Sequence, residues 1–127
     1  MLSFNWESNL VTGHHKLHKV EQQMLAGDEA QKELWKRYDW EFHRAPLIQA
    51  CNSHNLLSLH ATIFDKYLRY QILLLTYRGQ VAMDEHRTMF DAALARDTAK
   101  ASAALETHIR AGLDHALAAM AERKSPL

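Results

Sequence analysis

Apolar residues recur in the first part of the chain at Trp6, Leu10, Leu17, Val20 and Met24. These three- and four-residue steps mark one face of an α-helix, predicted from about Asn5 to Met24. Gly27 in "AGD" is a natural stop, because glycine enters the left-handed region without a Cβ clash. Asp28 is placed to cap a second helix that turns Leu34, Trp35, Tyr38 and Phe42 inward. Pro46 interrupts that run near Ala45, since its ring removes a backbone donor and restricts the preceding residue. "LIQAC" follows as a short helical piece. Asn52 or Ser53 can cap a long apolar helix through Leu56, Ile63, Phe64, Tyr67 and Leu74. Gly79 in "TYRGQ" turns the chain into a fifth helix, about Val81 to Ala95. The last helix begins at the cap Asp97 and ends near Glu122, and residues 123–127 read as a frayed tail. Alternation of the strand type is absent. The expected fold is all-α, an antiparallel bundle of five to six helices forming one domain over residues 1–127.

Composition narrows the function more than the fold. A chain of 127 residues can bury a real core without staples. Fifteen basic residues balance fifteen acidic ones, so the basic excess of a nucleic-acid binder is missing. Cys51 is the only cysteine, which rules out an internal disulfide and favours a reducing, cytoplasmic setting. "YQILLLTY" is too short to span a bilayer, and "MLSFNWESN" lacks the basic start of a signal peptide. The outlier is histidine, with nine copies.

Some of those histidines fall on core faces. In "YDWEFHRAPL", Asp39 and His43 are four residues apart and share a helix face beside the Trp35, Tyr38 and Phe42 stripe. His86 lies in the inward set Met83, Phe90, Ala93 and Leu94. His108 lies in the inward set Ala101, Leu105, Gly112 and Ala116. Three helices therefore each send a metal-capable side chain toward the interior, where bundles build such sites. Imidazole and carboxylate suit zinc, nickel, iron or manganese. Four protein ligands would close a tetrahedral site, or leave two adjacent positions open in an octahedral one. Residue by residue, other readings stand beside this one: Asp39 can pair with Lys36 or Arg44, and each histidine can be a hydrogen-bonded core residue.

The order D-x₃-H, then "EH", then a histidine 22 residues further on (H-x₂₁-H) resembles the FCD domain, the effector-binding C-terminal domain of GntR-type transcription regulators of the FadR subgroup. The matching stretches are "YDWEFHRAPLIQACNSHNLL", "DEHRTMFDAALARDTAKASAALETHI" and, more loosely, "NWESNLVTGHHKLHKVE". The resemblance implies a divalent metal held by Asp39, His43, His86 and His108. It implies a small-molecule effector at or beside that metal, often a carboxylic acid, and a homodimer. Arg69 in "KYLRYQ" stands where relatives offer a cation to the effector. Ser53 replaces an asparagine that many relatives carry, which shortens any polar reach there. Relatives also carry an N-terminal winged helix-turn-helix that binds DNA. Nothing in these residues resembles it, so the chain is expected to be a fragment or a free-standing sensor domain that lacks the first helix of its fold.

His14 continues the Trp6 and Leu10 stripe and is expected as a wall of the effector cavity, whereas His15 and His18 face solvent. "DEH" is not the H-E-x-x-H of metalloproteases, and neither a Ser-His-Asp order nor a glycine-rich phosphate loop is present. No enzyme is expected. The competing readings are a non-haem metal enzyme or carrier, against which the lack of a Glu-x-x-His carboxylate set counts, and a metal-free oligomerisation module.

Overall fold

In the computed structural model, residues 3–51, 54–63 and 78–124 are described. Helix α1 (Phe4–Leu25) starts where the Ser3 hydroxyl accepts the Trp6 amide hydrogen at 3.1 Å, satisfying one of the donors a helix start leaves unpaired. Gly27 reverses the chain with φ of +94°. Asp28 then accepts from the Ala30 amide and caps a 3₁₀ turn, Glu29–Gln31, which leads into α2 (Lys32–Phe42). A π turn over His43–Leu47 and the short α3 (Ile48–Cys51) follow, then α4 (His54–Ile63). Gly79, with φ of +60°, opens α5 (Gln80–Leu94). Asp97 accepts from the Lys100 amide and caps α6 (Thr98–Lys124). Among the described residues there is no strand, and the fold is an all-α helical bundle.

Two helical hairpins frame the domain. Short connections return α2 along α1 and α6 along α5, and α1 packs on both α2 and α5. Leu10, Leu17, Trp35, Phe42, Leu47, Met89 and Leu105 are completely buried between them. Fully burying one such side chain stabilises the fold by about 1.5–3 kcal/mol. On α1, α2, α5 and α6 the apolar faces read from periodicity are the buried ones, except that Met24, Leu34, Tyr38 and Leu94 sit half-buried at the margin. Phe64, Tyr67 and Leu74 of the expected long fourth helix lie outside the described residues.

The α-helical run of α2 ends at Phe42, as Pro46 led one to expect. The wider π turn takes up the proline ring, and the chain continues in helical form to Cys51. Trp6 on α1 donates its indole N–H to the Pro46 carbonyl at 2.8 Å, which secures the turn that carries His43. The Arg96 guanidinium lies 5.3 Å from the centre of the same indole. Trp6→Phe leaves the buried Pro46 carbonyl without its donor and should cost about 2 kcal/mol, read as a lower urea midpoint at unchanged slope.

Candidate metal centre

Asp39, on the last turn of α2, is placed by the buried Trp35 and Phe42 on either side of it in the helical stripe. His43 opens the π turn one helical step later. Its Nδ1 lies 3.4 Å from Asp39 Oδ2. His86 enters from the middle of α5 and brings Nε2 to 3.4 Å from Asp39 Oδ1. His108 enters from α6. The three imidazoles crowd together, with ring centres 5.0 Å apart for His43 and His86, 4.9 Å for His43 and His108, and 4.6 Å for His86 and His108. One ligand-capable atom from each of the four residues lies within 4.8 Å of all the others.

The donor set fits a divalent cation. Ligand atoms around a tetrahedral cation with bonds of about 2.1 Å lie about 3.4 Å apart, so the four side chains would draw together to hold one. His86 Nε2 is buried, and the contact it makes with Asp39 Oδ1 is long, at 3.4 Å. Such an atom is costly to leave unmatched, and a cation would match it. Asp39 pairs with the two histidines, not with Lys36, whose partner is Glu33 at 3.0 Å.

The electrostatics divide the histidines. Burial alone would lower the His86 pKa, but its hydrogen bonds to the Asp39 and Glu21 carboxylates, with their charges, raise it to about 9. His108 is driven the other way, to about 3, by burial and by the charges of His86 and His43 against its hydrogen bond to the Glu85 carboxylate. Burial disfavours the Asp39 carboxylate, yet His43 and His86 outweigh it and hold the group well below the usual carboxylate range. A neutral His108 and an ionised Asp39 are the forms in which these side chains bind metals.

The FCD domain family matches residues 12–111 of the sequence. The chain belongs to the FCD family. It is 35% identical over 112 residues to the HTH-type transcriptional repressor GlaR of Escherichia coli (strain K12), an alignment that covers 82% of this chain and 49% of that protein. It is 26% identical over 110 residues to an uncharacterized HTH-type transcriptional regulator, BphR, of Paraburkholderia xenovorans (strain LB400), covering 85% of this chain and 44% of that protein. The chain thus spans about half the length of the curated relatives it matches. No solved structure matches it. FCD domains are the effector-binding domains of GntR-family regulators, and the fold and family expected from the "EH" and D-x₃-H stretches are those found.

Within this FCD domain, His14 is buried and stacks on Phe90 with ring centres 4.2 Å apart. Burial and the neighbouring His18 lower its pKa to about 4. His15 is exposed, and His18 is half-buried against His14. Ser53 and Arg69 lie outside the described residues. His115 is exposed on α6, away from the cluster. Cys51 is buried, which pushes its thiol pKa up and suits a small packing residue.

Three polar residues at the centre escaped the sequence reading. Glu21 on α1 is 1% exposed and accepts from His86 Nδ1 at 3.1 Å. Glu85 meets His108 Nδ1 at 2.6 Å. Arg78 grips Glu85 through both guanidinium nitrogens, with Nη1 to Oε2 at 2.9 Å. Glu21 carried one signal, because it lies four residues after Leu17 and seven after His14 on the buried face. A cavity of about 490 Å³ between α5 and α6 has Glu85 and His108 in its wall, together with Val81, Thr88, Lys100 and Thr107. No helix among the described residues is long and apolar enough to cross a membrane.

Proposed function

We propose that this FCD domain is a metal-dependent sensor of a small carboxylate, the effector-binding part of a GntR/FadR-type transcription regulator with no enzymatic activity. The observation that carries the reading is the convergence of Asp39, His43, His86 and His108, whose ligand atoms gather within 4.8 Å of one another. A divalent cation there (zinc, nickel, iron or manganese) supplies Lewis acidity toward an incoming carboxylate. Asp39 and the three imidazoles hold it and orient it, while Phe42 and Phe90 keep that side of the centre dry. The cavity beside His108 gives the rest of such a molecule room, and Lys100, Thr88 and Thr107 offer it a cation and two hydroxyls.

The relatives' names, HTH-type transcriptional repressor and regulator, support a regulatory output, and the rest of that output is part of the same proposal. The whole regulator is a cytoplasmic homodimer that reaches DNA through a winged helix, and effector binding shifts the bundle between two arrangements of unequal affinity. A thermal-shift screen of small carboxylic acids tests the sensing role. At a ligand concentration a hundred times Kd, a binding acid adds about 2.7 kcal/mol of stability. The shift should require added metal and vanish in Asp39→Ala and His43→Ala. Absence of any metal-dependent hit would leave a domain without a sensing role.

A further inference from the structure

Beyond the four candidate ligands, two histidines of the centre are each held from behind by a carboxylate of another helix. His86 Nδ1 faces Glu21 Oε1 at 3.1 Å, and His108 Nδ1 faces Glu85 Oε1 at 2.6 Å. A carboxylate only accepts, so each contact places a ring hydrogen on Nδ1 and makes Nε2 the atom available to a cation, which at His86 would displace the hydrogen facing Asp39. His86 Nε2 points to the interior, 3.4 Å from Asp39. We propose, resting on the metal-centre reading, that Glu21 and Glu85 are positioning residues that fix the tautomer and aim of His86 and His108 and thereby set the affinity of the centre.

The two glutamates are anchored differently. Glu21 is 1% exposed, and its Oε2 is buried without a hydrogen-bond partner. Retaining a carboxylate in such a place is expensive unless it serves a charged or strongly polarised partner. Within the described hydrogen bonds, that partner is His86. Glu85 is partly exposed and is held by the two-pronged contact from Arg78. The adjacent pair Glu85 and His86 thus has split duties. His86 supplies a ligand from α5, and Glu85 turns away along the helix to support the ligand on α6. Hydrogen-bonding of a ligating imidazole through its second nitrogen is a general device for raising its basicity, and its loss lowers metal affinity by about 10–100-fold.

The test is a zinc titration of the whole chain against a competing chelator, with Glu21→Gln, Glu21→Leu and Glu85→Leu beside the wild type. Leucine cannot accept the Nδ1 hydrogen and should weaken zinc binding by about 10–100-fold at either position, whereas glutamine, which still accepts it, should keep most of the affinity at position 21. Glu85→Leu changes a part-exposed side chain, so it reports even if Glu21→Leu fails to fold. Long-range ¹⁵N–¹H spectra of the zinc-loaded protein should show His86 and His108 protonated at Nδ1 and bonded to zinc through Nε2, a signature that a purely packing role would not set. Zinc affinities within twofold of wild type for both leucine variants, or zinc on Nδ1, would overturn the proposal while leaving the centre intact. A wild type that binds no zinc would overturn both.

Discussion

His86→Ala protein, purified beside the wild type, should carry less than a tenth of the wild type's metal by elemental analysis. The side chain supplies the Nε2 that lies closest to Asp39 across helices, and its ring centre is within 5.0 Å of both other imidazoles. Without it the remaining ligands lose the only link from α5, so the affinity falls by orders of magnitude. Stability should follow. A cation that binds only the folded chain, at free concentrations a thousand times Kd, contributes about 4 kcal/mol. For a domain of this size that is roughly 12–20 °C in Tm. Chelation should lower the wild-type Tm by this order and leave His86→Ala unmoved. Equal, near-zero metal in the two proteins would remove the centre as an explanation for the buried cluster.

Metal-free protein should be most stable near pH 6.5, with histidines controlling both limbs. His86 has a folded pKa raised to about 9, so its contribution is complete below the unfolded value of 6.5 and is lost as pH climbs through 9. One proton is then held by the folded chain and not by the unfolded one, and stability falls by up to about 1.4 kcal/mol per pH unit. His14 and His108 have the opposite sign, with folded pKa values of about 4 and about 3. Below pH 6.5 the unfolded chain takes up protons that these buried rings refuse, so stability declines as pH falls, up to twice as steeply. Asp39 adds to that acid limb, because its depressed folded pKa makes its contribution disappear as pH drops below the unfolded value of 3.8. Metal loading requires neutral His86 and should flatten the alkaline limb. Urea midpoints from pH 4 to pH 9, with and without metal, check both statements, and an alkaline limb that survives loading would count against His86 as a ligand.

The helices were legible because burial imposes a 3.6-residue rhythm that Leu10, Leu17, Val20 and their counterparts on α2, α5 and α6 keep faithfully. Asp39, His43, His86 and His108 were legible for the converse reason, since each interrupts an apolar stripe. Glu21 was hidden because its meaning depends on a ring 65 residues away in the sequence. Glu85 was hidden by its neighbour: next to a histidine that already explained the "EH" pair, its own partner lay on a different helix. Pro46 announced the interruption of α2 but not its form. Proline ends an α-helix, but the outcome at His43–Leu47 depends on Trp6, which supplies a donor to the turn from 40 residues upstream.

The candidate centre draws two side chains from the α1–α2 side, Asp39 and His43, and two from the α5–α6 hairpin, His86 and His108. Coordination bonds tolerate only about 0.2 Å of misfit. A cation seated there therefore works as a strain gauge across the seam between the halves of the molecule. It registers a displacement of either half, whichever one is pushed. By the reciprocity of linked equilibria, anything that alters the bonding at the cation must also reset the spacing of the halves.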